Sequence, residues 1–174
     1  IKLFENRINE YEMMLDESTI WLVRLQGVGY ARAEDMVNAG VSGPNVRAAG
    51  VNYDVRWAHP YSVYDQVDWE PAVEKPTSVK GADCYDRYRV RMEEMRQSCR
   101  MTLDALDKIP GGANTHYNTG DEMIIAKAPT RAPEGATGFS NYECTRGASQ
   151  FYIQGGGDGR GKNPYRLSIR SPMF

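Results

Sequence analysis

The stretch GADCYDRYRVRMEEMRQS, residues 81–98, begins the longest regular pattern in the chain. It predicts a helix over residues 84–108, and Asp83 stands where its side chain can cap the first turn. Mostly apolar side chains recur along this helix at alternating spacings of three and four residues: Tyr85, Tyr88, Met92, Met95, Cys99, Thr102 and Leu106. Such a heptad seam is typical of a helix that packs in a bundle.

The same predicted helix is rich in arginine, with Arg87, Arg89, Arg91, Arg96 and Arg100. Two interpretations stay open at this point. The arginines either form a solvated face, or they make ion pairs that are buried or lie at an interface, for which arginine is better suited than lysine.

Shorter elements are predicted on the N-terminal side of this helix. Residues 1–17 and residues 32–39 each show apolar positions at helical spacing. Between them, Thr19–Leu25 is β-branched and aromatic, so a short strand is predicted there. Ser42 is predicted to cap a further short helix that has Pro44 in its first turn.

Residues 51–80 contain prolines at three positions and no regular hydrophobic pattern. They also carry five aromatic side chains: Tyr53, Trp57, Tyr61, Tyr64 and Trp69. A flexible linker would not have this composition. The segment is therefore predicted to be an ordered loop that lies over a core.

Beyond the long helix the chain is predicted to consist of loops and strands. Alternating apolar residues predict strands at 149–154 and 165–170, joined as a hairpin by the glycine-rich loop 155–163, and Met123–Ala126 is a further strand candidate. The loop sequence GGDGRGKN, Gly156–Asn163, nearly matches a phosphate-binding loop. However, asparagine replaces the magnesium-binding hydroxyl residue and a strand follows instead of a helix, so no nucleotide affinity is predicted.

The composition narrows the class of protein. The chain has 174 residues, is 41% hydrophobic and 25% charged, and carries a net charge of −2, which gives no nucleic-acid footprint. No apolar run reaches the length of a membrane-spanning helix. Because the chain has no initiating methionine, we expect residues 1–174 to be a single incomplete domain, an internal or C-terminal part of a longer subunit.

Disulfides and metal sites are not predicted. The three cysteines, Cys84, Cys99 and Cys144, are far apart and form no C-x-x-C pair, so reduced thiols are the simplest interpretation. The histidines, His59 and His116, have no second His or Cys at the spacing of a metal ligand.

An ordered series of segments resembles the D subunit of respiratory complex I, the hydrogenase-like, quinone-site subunit of NADH-quinone oxidoreductase. The segments are GVSGP (40–44), VRAAGVNYDVR (46–56), PYSVYD (60–65), GADCYDRYRVRMEEMRQS (81–98) and PYRLSIRSPMF (164–174). Any one of them would be a weak match, but their common order is specific. The resemblance covers about residues 1–174.

This resemblance implies an α+β fold, mainly a helical bundle of the nickel–iron hydrogenase large-subunit type, with small β elements near the C-terminus. It implies a peripheral position at the cytoplasmic face of the cell membrane. The expected partners are the iron–sulfur small subunit and other peripheral-arm and membrane-arm subunits. Quinone, the substrate, would be reduced beside the terminal iron–sulfur cluster of the partner subunit, coupled to ion translocation, and the chain itself would bind no cofactor and no metal.

The resemblance also proposes site residues. In hydrogenases the motif E-x-P-R-G-A-L places its arginine beside the metal centre, and ECTRGAS occupies the matching place here. Glu143, Arg146 and Gly147 are therefore candidates for the quinone cavity, and Arg146 is expected to point into the subunit. Ala148 stands where the complex I family usually has glutamate. Catalytic residues stay unassigned, because the family's quinone-headgroup His and Tyr belong to an N-terminal region outside this sequence.

Three alternatives share this scaffold or its place in a complex: the large subunit of a membrane-bound hydrogenase, a deazaflavin-linked dehydrogenase subunit, and a purely structural subunit. Two C-x-x-C motifs in the full reading frame would favour a hydrogenase. A His-bearing N-terminal hairpin would favour quinone reduction. Activity of a reconstituted complex after mutation of the site would identify a structural subunit.

Overall fold

The computed structural model describes residues 1–108, 133–156 and 163–172. Its elements in chain order are α1 (Lys2–Asp16), α2 (Thr19–Leu25), α3 (Ala33–Asn38), α4 (Pro44–Ala48), α5 (Val55–Ala58), α6 (Cys84–Lys108), β1 (Thr137–Cys144), β2 (Gly147–Gln154) and β3 (Arg166–Arg170). The described residues fall into two compact units. The first contains residues 1–106, 142–148 and 172, and the second contains residues 107–108, 133–141, 149–156 and 163–171.

Helix α6 matches the predicted helix in its bounds and in its cap. The Asp83 carboxylate accepts hydrogen bonds from the backbone N–H groups of Tyr85 and Asp86, at 2.9 and 3.0 Å. These bonds satisfy two of the donors that a helix start leaves free. The sequence therefore predicted both the helix and its first turn correctly.

The seam of α6 is buried along part of its length. Met92 and Cys99 form a core cluster with Ile8 of α1, and Tyr88 and Met95 pack against that cluster. Thr102 and Leu106 lie towards the end of the helix, where Leu106 is 52% exposed, so the buried part of the seam stops before them.

A second core cluster lies on another side of α6. There Val90 joins residues of α3 and α4, among them Met36, Val46 and Ala48. The long helix therefore contributes side chains to two separate parts of the core.

Several arginines of α6 make contacts within the chain. Arg87 donates to the carbonyl oxygens of Ala82 and Gly29, at 3.1 and 2.8 Å. Arg89 pairs with Glu74 at 3.0 Å, and Arg96 pairs with Glu12 of α1. Part of the arginine set therefore ties loops and α1 to the long helix through partly exposed contacts, which match neither a fully solvated face nor buried ion pairs.

The strand predicted at Thr19–Leu25 is wrong, because this segment forms helix α2. Ser18 caps the helix, since its hydroxyl oxygen accepts from the Trp21 N–H at 3.4 Å. The Trp21 ring then packs edge-on against Tyr88 of α6, with ring centroids 5.5 Å apart. A short apolar run cannot be assigned to helix or strand by periodicity alone, so the neighbouring cap and packing decide.

The predicted cap of α4 is also wrong. Gly43, with φ 77°, stands at the N-cap position, and Pro44 is in the first turn as expected. The Ser42 hydroxyl instead accepts a hydrogen bond from the Ala148 N–H at 2.9 Å. The Ser42 side chain therefore binds a residue 106 positions away in sequence, instead of capping α4 as its position before the helix had predicted.

The aromatic segment 51–80 is largely irregular, as predicted, and contains the single turn of α5. Trp69 is buried, and its ring packs edge-on against Trp57 at 5.8 Å between centroids. Its indole N–H donates to the Tyr64 carbonyl oxygen at 3.1 Å. The segment is therefore an ordered cover whose aromatic rings pack on one another.

The C-terminal part forms a three-stranded sheet in the order β1-β2-β3. Strands β2 and β3 pair antiparallel, from Gln150↔Arg170 to Gln154↔Arg166, which confirms the predicted hairpin. The sequence pattern did not predict β1. The strand candidate Met123–Ala126 and most of the glycine-rich loop lie outside the described residues. The fold is thus a set of helices with a small antiparallel sheet, an α+β arrangement.

Candidate functional site

A cleft of about 750 Å³ lies in the first unit. Its lining comes from the start of α1, from α4, α5 and α6, and from the residues at the end of β1. Phe4 and Met95 contribute apolar surface, while Arg47, Glu94 and Glu143 contribute charge. An apolar cleft with a few convergent polar groups is the usual form of a small-molecule site.

Arg47 is the central cation of this cleft. All five residues of α4 are buried, so its guanidinium is directed into the protein interior and is only 2% exposed. A cation this buried requires partners that replace its water. The guanidinium donates to Glu94 at 2.5 and 3.1 Å, to Glu143 at 3.0 Å and to the Tyr53 carbonyl oxygen at 3.1 Å.

Asp54 joins a second cation to the first. It caps α5 by accepting from the Arg56 N–H at 2.9 Å, and the Arg56 guanidinium binds the same carboxylate in a bidentate pair at 3.0 and 2.7 Å. The Arg56 guanidinium also lies 4.6 Å above the Trp69 ring, in cation–π geometry. Asp54 is 3.2 Å from Arg47, so this one carboxylate lies between two guanidiniums.

Glu143, near the end of β1, completes the site. Its carboxylate is 2% exposed and accepts from the Arg47 guanidinium at 3.0 Å and from the Val55 N–H at 3.2 Å. Its backbone N–H donates to the Tyr61 hydroxyl oxygen at 3.2 Å. The structure therefore places this sequence-predicted residue on the cleft wall, bound to elements far away in sequence.

Five charged side chains thus form what we call the charge cluster: Arg47, Asp54, Arg56, Glu94 and Glu143. Three carboxylates face two guanidiniums, so the fully ionised cluster carries one excess negative charge. Excess charge in a poorly solvated place favours uptake of a proton by one of the acids.

Burial and neighbouring charges shift the pKa values of Glu143 and Arg47. Burial raises the pKa of Glu143 above its ordinary value, and repulsion by Asp54 adds to this, while Arg47 partly offsets both. Burial alone would lower the pKa of Arg47, but attraction to Glu94, Asp54 and Glu143 outweighs it and the pKa is raised. The arginines therefore stay charged, and the surroundings of Glu143 favour its protonated form.

Arg146, the second sequence-predicted residue, is exposed. This differs from the inward orientation that the hydrogenase motif led us to expect. The buried cation that binds Glu143 is instead Arg47 of α4. Arg146 instead belongs to the turn between β1 and β2, next to Thr145, which lines the cleft.

Gly147, the third candidate, lies at a close crossing of two backbones. It has φ 128°, and a Cβ atom there would lie 2.7 Å from the Ser42 hydroxyl oxygen and 2.9 Å from the Ser42 carbonyl carbon. The facing Gly43 is equally constrained, since its Cβ would lie 2.4 Å from the Gly147 Cα. Only glycine fits this crossing, which holds the turn after Glu143 against the start of α4.

Four members of the charge cluster were not singled out from the sequence: Arg47, Asp54, Arg56 and Glu94. One signal was present. Arg47 lies in the run Val46-Arg47-Ala48-Ala49, where a charged residue interrupts small apolar residues in a predicted helix. A charged residue at an otherwise buried position requires a partner, but the sequence does not say which one.

Comparison with a solved structure indicates which class of protein has this fold, and a family model then gives the family. The fold is similar to a chain of the membrane-bound sulfane sulfur reductase, an archaeal respiratory membrane complex, with a TM-score of 0.76 and 30% identity over 98% of this chain and 43% of that chain. The fold is thus shared with a chain of an archaeal respiratory membrane complex. The chain belongs to the family described as respiratory-chain NADH dehydrogenase, 49 kDa subunit, whose model matches residues 1–174.

Curated relatives agree with this family. The chain is 39% identical over 180 residues to the D 2 subunit of NADH-quinone oxidoreductase from Solibacter usitatus, covering 99% of this chain and 42% of the relative. It is 36% identical over 187 residues to the H subunit of NAD(P)H-quinone oxidoreductase from a Synechococcus species, covering 98% of this chain and 45% of the relative. The chain spans less than half the length of these relatives.

Two structural features are absent from the described residues. Within residues 1–108, 133–156 and 163–172, no helix has both the length and the apolar character needed to cross a membrane. In the same ranges, no group of three or more His, Cys, Asp and Glu side chains is placed to hold a metal ion.

Proposed function

We propose that this chain is part of the quinone-site subunit of an NADH-quinone oxidoreductase coupled to ion translocation. The observation that carries the proposal is the family match along the whole chain, together with a cleft that ends in a buried charge cluster. In this proposal the cleft forms part of the quinone cavity. Its apolar lining accepts the ring and tail of the quinone, and the cluster sets the potential near the headgroup.

The same proposal assigns partners and position. The chain packs on the iron–sulfur small subunit, whose terminal cluster supplies the electrons, and it contacts other peripheral-arm and membrane-arm subunits. It lies peripherally at the cytoplasmic face of the membrane and binds no cofactor of its own. Residues 1–174 belong to one longer domain, and its helices continue as a bundle of the nickel–iron hydrogenase large-subunit type. Similarity to the D 2 subunit of NADH-quinone oxidoreductase and to a chain of an archaeal respiratory membrane complex supports the proposal.

The three candidate residues have different roles in this proposal. Glu143 faces the quinone cavity as the acidic member of the cleft wall. Gly147 permits the backbone crossing that fixes Glu143 in place. Arg146, exposed on the same turn, adds a permanent positive charge beside the cavity in the assembled complex.

The proposal is tested in the complete complex with Glu143→Gln and Arg146→Met. We expect each assembled variant to lose about tenfold or more in quinone reduction, an effect of roughly 1.4 kcal/mol on the barrier. Electron transfer from NADH to an artificial acceptor upstream of the quinone should be unchanged. Arg146→Lys, which keeps the charge, should retain more activity than Arg146→Met.

The matched control is Arg100→Met, which removes an exposed arginine of α6 that approaches Glu93 at 3.7 Å. It should reduce quinone at the parental rate. If Glu143→Gln and Arg146→Met assemble and also reduce quinone at the parental rate, the cleft is not part of the quinone cavity.

A second candidate function is favoured by the structural neighbour. That protein is a sulfane sulfur reductase, so the scaffold also serves a respiratory membrane complex with a different substrate. A membrane-bound hydrogenase or a deazaflavin-linked dehydrogenase belongs to the same group of alternatives. Assays of the purified complex with quinone, polysulfide and protons as acceptors separate them, and the quinone proposal requires quinone to be reduced fastest.

A further inference from the structure

We propose that Glu143 is a proton-exchange site, the carboxyl group of the charge cluster that binds and releases a proton at the cleft wall. The inference rests on the proposed function only where it links this proton to the quinone. The proton site itself follows from the geometry of the first unit.

The three carboxylates of the cluster are compensated to different degrees. Asp54 accepts three hydrogen bonds from Arg56 and lies 3.2 Å from Arg47. Glu94 accepts two from Arg47, and its side chain is 21% exposed, so water also reaches it. Glu143 accepts one hydrogen bond from a cation and one from a backbone N–H, with only 2% exposure. Of the three, ionised Glu143 has the least compensation for its lost water.

Charged and titratable groups face Glu143 from each element packed around it. Arg47 approaches from α4, and Asp54 and Arg56 approach from the start of α5. Glu94 of α6 influences Glu143 through Arg47, which binds both carboxylates. The hydroxyl oxygen of Tyr61, in the aromatic segment 51–80, accepts a hydrogen bond from the Glu143 N–H.

Arg91 of α6 is a further cation that lines the same cleft. Within the charge cluster, protonation of Glu143 leaves two carboxylates to balance two guanidiniums. The raised pKa of Glu143 agrees with this balance, because burial and Asp54 both favour the neutral acid.

The exchange itself is a simple proton transfer. The carboxylate takes a proton from water or from a hydroxyl group in the cleft, and no electrons move. Glu143 lines the cleft, so its proton exchanges with whatever occupies that space. A ligand that gains negative charge there raises the proton affinity of a nearby carboxylate. Quinone that is reduced by electrons from the NADH side is such a ligand under the proposed function.

Infrared difference spectroscopy of the complete complex at a series of pH values tests the site without turnover. The C=O stretch of a protonated carboxylic acid is distinct from that of a carboxylate. We expect a protonated band that persists above the titration range of exposed glutamates and that disappears in Glu143→Gln. The control Glu70→Gln removes an exposed glutamate of the aromatic segment 51–80 and should leave this band intact.

Two further variants separate a proton site from a purely structural pair. Asp54→Asn removes a repelling charge and should lower the midpoint of the band, whereas Arg47→Met removes an attracting charge and should raise it. If Glu143→Gln does not assemble, Glu143→Asp keeps the acid but shortens its reach to Arg47 and should shift the band.

The possible results separate the proton site from the proposed function. A band that titrates with the exposed glutamates, or that is unchanged in every Glu143 variant, overturns the proton site even if quinone reduction depends on Glu143. A persistent band that belongs to Glu143, with quinone reduction unaffected by Glu143→Gln, supports the proton site and overturns its link to quinone.

Discussion

At the scale of single residues, the site depends on charges and glycines that satisfy one another over long sequence distances. Arg47 is stable inside the protein only because carboxylates from the N-cap of α5, from α6 and from β1 converge on it. Breaking a buried ion pair by removing one partner typically costs about 3–5 kcal/mol, because the other charge is left without compensation. Glu143 reaches Arg47 because two glycines allow the backbones at residues 43 and 147 to cross.

Gly147→Ala tests this crossing. We expect a clear loss of stability, about 1–3 kcal/mol or more, because the added methyl group meets the Ser42 backbone and the φ angle of 128° disfavours alanine. The control is Gly135→Ala, at φ 75° with no atom within 4 Å of the added Cβ. Thermal denaturation of the assembled complex should show a larger decrease for Gly147→Ala. Equal decreases would mean that the close approach contributes nothing.

At the scale of elements, α6 organises the first unit, since both core clusters contain its side chains. One cluster joins it to α1 through Ile8, and the other joins it to α3 and α4. Glu94 extends from the same helix into the charge cluster. The packing of α6 therefore determines both the position of α1 and the shape of the cleft.

Met92→Ala tests the seam of α6. Met92 is 4% exposed beside Ile8 and Cys99, so its truncation should leave a cavity and cost about 2–5 kcal/mol. Met14→Ala is the matched control, because Met14 of α1 is 63% exposed, and it should change stability by no more than about 0.5 kcal/mol. Chemical denaturation of the purified subunit or complex measures both. Similar values for the two variants would show that the seam is not packed as described.

At the scale of the whole molecule, the charge cluster makes stability depend on pH. The folded pKa of Glu143 is raised above its ordinary value of 4.5, so the folded state binds the proton more tightly than the unfolded state does. The contribution of this group to stability is therefore fully present below about pH 4.5 and is lost as the pH rises through the raised folded pKa.

Comparison of the native chain with Glu143→Gln measures this dependence. As the pH rises from 4.5 through the raised folded pKa, the native protein should lose stability relative to Glu143→Gln, because glutamine cannot ionise. Glu70→Gln should keep the native slope, since Glu70 is exposed. Thermal inactivation of the complex at a series of pH values gives the slopes. A native slope in Glu143→Gln would contradict the raised pKa.

The sequence by itself determined the elements whose signals are local. The long helix and its Asp83 cap, the helices near residues 2–16 and 33–38, and the hairpin of β2 and β3 all follow from periodicity, capping residues and alternation. The ordered series of motifs also identified the family and placed Glu143 among the candidate residues. The helices and the hairpin depend on neighbours a few positions apart, and such neighbours are visible in sequence.

Only the tertiary structure decided the features that depend on distant partners. It packed Trp21 of helix α2 on Tyr88, and it placed the Ser42 hydroxyl in a hydrogen bond with the Ala148 N–H instead of at the cap of α4. It also brought Arg47 to Glu143 in the interior, whereas Arg146, close to Glu143 in sequence, is exposed. The two arginines have the same side chain, and their different burial arises when α4, α5, α6 and β1 pack together. A buried charge is tolerated only where the fold brings its partners.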